Sequence, residues 1–334
     1  MSYSGQLFYD RYKNLVAEKK LFVRASGQQR VVESAEEWIG GLLKAQNVDK
    51  GQEDEPVEKY PIVVISEDEG MNNTLNHGQC RSFETEHVGI MDKATIGWLE
   101  SFMPTVRKRI NNLLKGANMT DLETLYLMDL CPFETVADPN GQLSNFCKLF
   151  TESEWKAYDY LQTIGKYYGY GDGNLLGPTQ GVGFVNELIA RLSNSAVQDS
   201  TTSNSTLDSD PTTFPIGVDH ALFADFSHDN DMVGMFSALN LFADTEPMSN
   251  ATLRSPGQMQ GFAASWVVPF AARAFVEKLR CGEKAEEKVR IILNDRVMPL
   301  HGCKNDQFRM CDLDSFLDSL DFARHGGYWD RCFA

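Results

Sequence analysis

An apolar run in the second half of the chain ends in two neighbouring polar groups. Residues 222–226 are rich in strand formers, and His228 and Asp229 follow directly. Apolar residues then recur at helical spacing, at Met232, Met235, Phe236 and Leu239. The pattern predicts a strand, a tight turn and a helix. Because ligands bind beyond the carboxyl ends of strands in open α/β sheets, this turn is a candidate site. The alternative is that Asp229 or Asn230 merely caps the next helix.

Two apolar runs near the amino terminus predict further strands. Residues 21–23 lead into a loop that carries Arg24 and Arg30, and residues 62–65 form the second run. Between them, Ser34 and Glu37 have the spacing of a capping box and predict the start of a helix. The apolar positions of that helix are Trp38, Ile39, Leu42 and Leu43.

The remaining pattern is helical in the middle of the chain and mixed towards its end. Residues 92–168 favour helices, and the glycines of residues 169–178 indicate a turn, because they match no phosphate-binding motif. Residues 266–270 and 289–293 predict strands separated by a helix over residues 275–279, with a last helix near residues 313–322. Strands alternating with helices define an α/β protein.

Composition and charge narrow the possible partners. The chain has 334 residues and a formal net charge of −16, with a sequence pI of about 4.8. That charge argues against a nucleic-acid binder, which needs cations to neutralise phosphates. The sequence also predicts no membrane span and shows no signal peptide at its start.

Cysteines and sequons favour a secreted protein despite the missing signal. Seven cysteines occur without any Cys-x-x-Cys pair, so disulfides are favoured over zinc ligation. Four glycosylation sequons begin at Asn72, Asn118, Asn204 and Asn250. The alternative is buried free thiols and accidental sequons.

Arg24, His228 and Asp229 follow predicted strands and could meet at one edge of a sheet. Together they suit phosphoryl transfer, in which arginine binds phosphate oxygens, imidazole adds a donor and a carboxylic acid protonates the leaving oxygen. This set lacks a nucleophile. The serine-hydrolase and zinc-protease motifs Gly-x-Ser-x-Gly and His-Glu-x-x-His are absent from the sequence as well.

Six ordered segments carry a resemblance that runs from about Ser4 to Ala334. They are FVRASGQQRV (22–31), YLMDLC (126–131), YYGYGDGN (167–174), GPTQG (177–181), ADFSHDN (224–230) and NDRV (294–297). In these segments the chain resembles the secreted fungal phytases of the histidine acid phosphatase family. The resemblance implies a central sheet flanked by helices, with its first strands missing. It also implies an α/β domain of residues 1–65 and 178–334, and a mainly helical insertion of residues 66–177.

The resemblance implies hydrolysis of phytate, myo-inositol hexakisphosphate, through a phosphohistidine. Arg24 and His228 would bind the transferred phosphoryl group, and Asp229 would be the general acid. Lys166 and Asp129 match positions that contact substrate or set specificity, against the simpler reading of a solvated lysine and a helix-terminal aspartate. Phosphate charge near Asp229 would raise its pKa and favour acidic conditions.

The family's nucleophile lies in an Arg-His-Gly-x-Arg-x-Pro motif that this sequence does not contain. Arg324, His325 and Gly326 spell its first letters, but Gly327, Tyr328 and Trp329 follow, so His325 is not expected to be the nucleophile. We therefore expect the chain as given to be inactive. The alternatives are a non-catalytic binder of inositol phosphates and, for a complete protein, a broad-specificity acid phosphatase.

The resemblance also implies disulfides, location and partners. The pairs would be Cys80 with Cys332, Cys131 with Cys147, and Cys303 with Cys311, while Cys281 would be unpaired because its family partner precedes the nucleophile motif. The protein would be secreted, glycosylated and a monomer when complete. It would act on a small phosphomonoester, without cofactor, metal, nucleic acid or membrane.

Overall fold

The computed structural model describes residues 1–53, 55–56, 59–217 and 220–334. The α-helices are α1 (Ser2–Glu18), α2 (Gln29–Asp49), α3 (Arg81–Leu113), α4 (Asp121–Ala137), α5 (Glu152–Tyr170), α6 (Gly177–Gln180), α7 (Val182–Ser193), α8 (Ser205–Asp208), α9 (Asp229–Ala238), α10 (Ala264–Val267), α11 (Leu313–Ser319) and α12 (Asp321–Arg324). The strands are β1 (Lys20–Ser26), β2 (Val63–Ile65), β3 (His220–Phe226), β4 (Ala274–Cys281), β5 (Glu286–Leu293), β6 (Arg296–Val297) and β7 (Cys311–Asp312).

Strands β1, β2 and β3 form a parallel sheet in the order β2-β1-β3. Arg24 is in register with Val63 on one side and with Asp225 on the other. The three carboxyl ends therefore lie at one edge of the sheet, where the loops after each strand meet. This confirms the strand, turn and helix predicted around His228.

The two faces of this sheet are covered differently. Val23 and Ala25 point to one face and pack with Trp38 and other apolar residues of α2. Because side chains alternate along a strand, Arg24 points to the opposite face, where it contacts Glu187 of α7. One side of β1 is thus apolar, and the other receives a buried charge.

The region after β1 differs from the sequence prediction at two points. The strand continues to Ser26, so Arg24 lies inside it and not in the following loop. Helix α2 begins at Gln29, before the predicted capping box. Ser34 is therefore within the helix, and its hydroxyl donates to the Arg30 carbonyl oxygen at 2.7 Å. The helix therefore begins more than a turn before the predicted start, and Gln28, whose backbone is extended, is its N-cap.

A second sheet is antiparallel and corrects the prediction for residues 266–279. The strand predicted over residues 289–293 is part of β5. The helix predicted over residues 275–279 is instead strand β4, and helix α10 overlaps the first two residues of the strand predicted over 266–270. Phe275 and Ile292 are cross-strand partners in this hairpin. The apolar spacing of residues 275–279 fits a helix as well as a strand, and pairing with β5 decides between them.

The middle of the chain is helical, as predicted. Trp98 of α3 is buried, and its indole nitrogen donates to the Ala157 carbonyl oxygen of α5 at 2.9 Å. Thr120 and Thr151 cap α4 and α5 with complete capping boxes. The division into an α/β domain and an insertion at residues 66–177 remains a prediction.

The described chain contains the three disulfides that the resemblance implied, and Cys281 is a free thiol. Three of the sequon asparagines, Asn72, Asn118 and Asn250, are exposed. The Asn204 side chain is half-buried and caps α8. Within the described ranges, every helix is too short or too polar to cross a membrane.

Candidate active site

Three loops meet at the carboxyl edge of the parallel sheet. They follow β1 at Gly27, β2 at Ser66 and β3 at Ser227. His228 is the N-terminal cap of α9, and Asp229 is the first residue of that helix. The strand fixes where His228 leaves the sheet, and the helix fixes the direction in which Asp229 points.

The His228 imidazole is held on both sides by charged groups. Its Nε2 lies 2.8 Å from Glu67 Oε1, and its Nδ1 lies 3.2 Å from Arg30 Nη2. The His228 side chain is only 10% exposed, whereas Arg30 is exposed. The ring therefore forms the wall of an open site in which the guanidinium of Arg30 faces solvent.

Glu67 is the acceptor at the centre of this edge. The same Oε1 accepts hydrogen bonds from Ser26 Oγ at 2.6 Å and from the Gln28 backbone N–H at 3.2 Å. Burial alone would raise the pKa of Glu67, but the Ser26 hydrogen bond and His228 bring it below its usual value. Glu67 is therefore an ionised carboxylate beside His228.

Asp229 and Lys166 form the second part of the site. The Lys166 ammonium is ion-paired with the Asp229 carboxylate and donates to Asn230 Oδ1 at 2.5 Å. Burial acts to raise the pKa of Asp229, but Lys166 outweighs it and holds the pKa below its usual value. Lys166, which the resemblance gave as a substrate-contacting position, thus lies beside the predicted acid Asp229.

A buried carboxyl lies behind the site. Asp231 accepts a hydrogen bond from the His77 backbone N–H at 2.6 Å, and the His77 ring lies 2.7 Å from Glu84. Burial raises the pKa of Asp231 to about 6, and the nearby His77 offsets only part of that effect. Asp231 therefore holds its proton more tightly than an exposed aspartate does.

Arg24 does not join His228, contrary to the sequence prediction. Its guanidinium is 2% exposed, donates to Asp225 Oδ1 at 2.6 Å and is ion-paired with Glu187. Arg191 donates to the other oxygen of Asp225 at 2.5 Å. The reason is the extra length of β1, which places Arg24 inside the strand. Arg30, the second arginine of the same segment, lies at the site instead.

Asp129 and His325 contact residues other than those around His228. Asp129 accepts a hydrogen bond from the Tyr158 hydroxyl on α5. Tyr158 is eight residues before Lys166 on that helix, a rise of about 12 Å. Burial raises the pKa of Asp129, although the Tyr158 hydrogen bond opposes this. His325 is exposed and ion-paired with Asp321 in its own helical turn.

Sequence reasoning singled out neither Glu67 nor Asp231, and it assigned the phosphate-binding role to Arg24, whereas Arg30 is the arginine that contacts His228. Arg30 carried a usable signal, because it lies in the loop segment that was already noted after β1. Glu67 is two residues past the end of β2, just as His228 is two residues past the end of β3. A search for polar residues after every strand would have found it.

The fold and the comparisons define a phosphatase. The model of the Histidine phosphatase superfamily (branch 2) matches residues 1–294, and the chain belongs to that superfamily. Its fold class and its recognition as a histidine phosphatase related to fungal phytases are thereby confirmed. A small-molecule phosphate ester is the class of substrate that follows.

Two curated relatives are similar over nearly the whole chain. Phytase A of Emericella nidulans is 50% identical over 334 residues, which are 99% of this chain and 70% of that protein. Phytase A of Aspergillus fumigatus is 48% identical over 333 residues, again 99% of this chain and 70% of that protein.

Solved structures share the fold. The phytase from D. castellii superposes with a TM-score of 0.73 at 22% identity, over 99% of this chain and 65% of that one. The multiple inositol polyphosphate phosphatase of Bifidobacterium longum, solved with phosphate, gives a TM-score of 0.62 at 13% identity, over 97% of this chain and 78% of that one. The chain therefore spans about two thirds of the D. castellii phytase.

Proposed function

We propose that this chain carries the substrate-binding and leaving-group side of a phytate phosphohydrolase site. The observation that supports it is the meeting of Arg30, His228, Asp229 and Lys166 at the carboxyl edge of the sheet. The similarity to Phytase A supports phytate as the substrate. Arg30 and Lys166 are the cationic donors that a polyanion can contact at this edge, on a chain with net charge −16.

Arg30 takes the role that the sequence analysis gave to Arg24. Its exposed guanidinium can donate two parallel hydrogen bonds to a phosphoryl group, which a buried and doubly paired arginine cannot do. Once a phosphate oxygen accepts from Arg30, Nδ1 of His228 is free to contact the same phosphoryl group. The two residues then bind one oxyanion from the N-terminal ends of α2 and α9.

Asp229 is the proposed general acid, and Lys166 controls its proton. In the unliganded site the ion pair keeps Asp229 ionised. A phosphate that attracts Lys166 weakens the pair and adds negative charge, and both effects raise the pKa of Asp229. Protonated Asp229 can then donate to the leaving inositol oxygen, which predicts a preference for acidic conditions.

The covalent step needs a nucleophile that these residues do not supply. The printed sequence has six histidines, none within an Arg-His-Gly-x-Arg-x-Pro motif. We therefore expect the 334-residue chain to bind phosphate esters without turning them over.

The test measures binding and turnover on the same purified 334-residue chain. Calorimetry with phytate is expected to show binding that Arg30→Ala weakens, and phosphate release is expected to stay at the level of buffer. Steady release would refute the expected inactivity, and absence of binding would refute the site. Comparison of phytate with a simple phosphomonoester then separates a phytase from a broad-specificity acid phosphatase.

Secretion, glycosylation and a monomeric state belong to the same proposal. Three disulfides are typical of an oxidising compartment, and three sequon asparagines are exposed. Expression through a eukaryotic secretory pathway should give a product whose mass falls after endoglycosidase treatment. An unmodified product would refute the glycosylation, and gel filtration at twice the monomer mass would refute the monomer.

A further inference from the structure

Glu67 holds the His228 ring from the side opposite Arg30. The ionised carboxylate of Glu67 can only accept hydrogen bonds, and the guanidinium of Arg30 can only donate them. A ring placed between these two partners, at 2.8 Å and 3.2 Å, carries its proton on Nε2 and leaves Nδ1 bare. The geometry therefore selects one neutral tautomer of His228.

The position of Glu67 is fixed by buried neighbours. Ser26, which is fully buried at the end of β1, donates to Glu67 Oε1 at 2.6 Å. The Asn73 side chain, also buried, donates to Ser26 Oγ at 3.0 Å. The Gln28 backbone N–H donates to the same carboxylate oxygen as Ser26, and His228 Nε2 lies 2.8 Å from it. The segment 26–28 thus holds this oxygen in place directly, and Asn73 supports it through Ser26, before any ligand arrives.

We propose that Glu67 is a positioning residue that sets the tautomer and orientation of His228 for phosphate binding. The proposal rests on the proposed phosphate-binding role of His228. A bound phosphomonoester takes over the Arg30 donor and can pass the proton of its P–OH group to the bare Nδ1. The Nε2 proton stays on the hydrogen bond to Glu67. The products are a phosphate dianion and an imidazolium that donates to it, with the Glu67 carboxylate balancing the new positive charge.

Two substitutions distinguish the role of the Glu67 acceptor oxygen from the role of its negative charge. Glu67→Gln and Glu67→Ala both remove the charge, but only glutamine keeps an oxygen that the three donors can share. Glu69→Ala is the matched control, because Glu69 is exposed in the same loop and its loss also removes one negative charge.

The first measurement is the ring-nitrogen spectrum of His228 in the 334-residue protein by NMR. The neutral ring is expected to show a single Nε2–H tautomer in the native chain, in Glu67→Gln and in Glu69→Ala. In Glu67→Ala we expect an additional Nδ1–H population, because the exposed Arg30 alone then orients the ring. A single unchanged tautomer in folded Glu67→Ala would overturn the proposal. This readout requires no ligand, so it stands even if the proposed phosphate site fails.

The second measurement is the affinity for inorganic phosphate by calorimetry. Loss of one positioning hydrogen bond should make Glu67→Ala bind about tenfold more weakly than Glu67→Gln. Equal affinities of these two variants would contradict the proposal. If native protein shows no phosphate binding, the proposed function fails and the tautomer spectra alone decide the role of Glu67.

Ser26→Ala covers the case in which Glu67→Ala does not fold. This variant keeps the carboxylate but removes its buried anchor, so we expect a partial mixture of His228 tautomers. A pure Nε2–H tautomer in Ser26→Ala, with Glu67→Ala unfolded, would count against positioning through this hydrogen-bonded chain.

Discussion

Two arginines six residues apart on the same segment lie in opposite environments. Arg24 is enclosed on the α7 face of the sheet by Asp225 and Glu187, with Arg191 beside them. Arg30 is exposed beyond the strand end and contacts the ring of His228. The buried set pairs two cations with two carboxylates, whereas the exposed guanidinium retains donors for a ligand.

The difference shows how position along a strand decides between a structural and a chemical role. Burial alone would raise the pKa of Asp225, but Arg191 and Arg24 hold it well below its usual range. The charged groups of that set are paired with one another within the fold. At the strand end the same residue type meets solvent and an imidazole, so its interaction energy remains available for binding.

Of the variants that test this contrast, Arg24→Ala should have the largest effect, and the effect is on the free energy of unfolding. Arg24→Ala removes the buried arginine that Glu187 and Asp225 share, leaving Asp225 with Arg191 and Glu187 with the Thr74 hydroxyl, and such a break costs about 3–5 kcal/mol. Arg30→Ala should change stability by less than about 0.5 kcal/mol, because it is a surface substitution. Urea unfolding of both variants checks the contrast, which fails if the two midpoints fall equally.

Removal of Arg30 should instead reduce ligand affinity. A charge-assisted hydrogen bond contributes about 1.5–3 kcal/mol, so Arg30→Ala should bind inorganic phosphate roughly ten- to a hundredfold more weakly. Lys115→Ala is the control, since it removes one exposed positive charge from a loop of the helical region. Phosphate titrations followed by calorimetry test this. An equal loss of phosphate affinity in both variants would show that Arg30 contributes only its positive charge and no specific contact.

The smallest effect concerns Asp208, which borders the buried set. Burial, together with the negative charge of Glu187, raises the pKa of Asp208 to about 7. The native state therefore holds a proton that the unfolded chain releases near pH 4. Stability conferred by this proton is lost as the pH rises from about 4 to about 7.

Asp208→Asn should remove that part of the pH dependence. Relative to the native chain, the variant should gain stability with rising pH across this window, by under about 1 kcal/mol because the group is partly exposed. Thermal unfolding from pH 4 to 8 measures the difference, with Asp92→Asn, which changes an exposed aspartate of α3, as the control. If the stability difference between Asp208→Asn and the native chain stays constant from pH 4 to 8, Asp208 does not hold the proton.

Most of the α/β pattern could be predicted from the sequence. The run into His228 gave the strand, turn and helix correctly, because a short apolar strand and a helical repeat have distinct periods. Residues 274–281 could not be assigned in this way. Their apolar spacing suits both periods, and only the pairing of Phe275 with Ile292 across the hairpin makes them a strand.

The site was predicted in part. His228, Asp229 and Lys166 do lie together, as the family motif implied, but Arg24 does not join them. The apolar run of β1 stops at Val23, whereas the strand itself continues to Ser26. A charged residue can extend a strand when its partners are supplied from elsewhere, and Glu187 and Asp225 are 163 and 201 residues away from Arg24 in sequence.

The sequence by itself determined the family and the residues available for phosphate chemistry, because these depend on residue identity and order, and the cysteine pairs followed only through the family resemblance. The tertiary structure alone decided which arginine is spent on the fold and which remains open to a ligand. It also placed Glu67 against His228. Both outcomes depend on the alternation of side chains across the sheet and on the meeting of three strand ends, which no local pattern records.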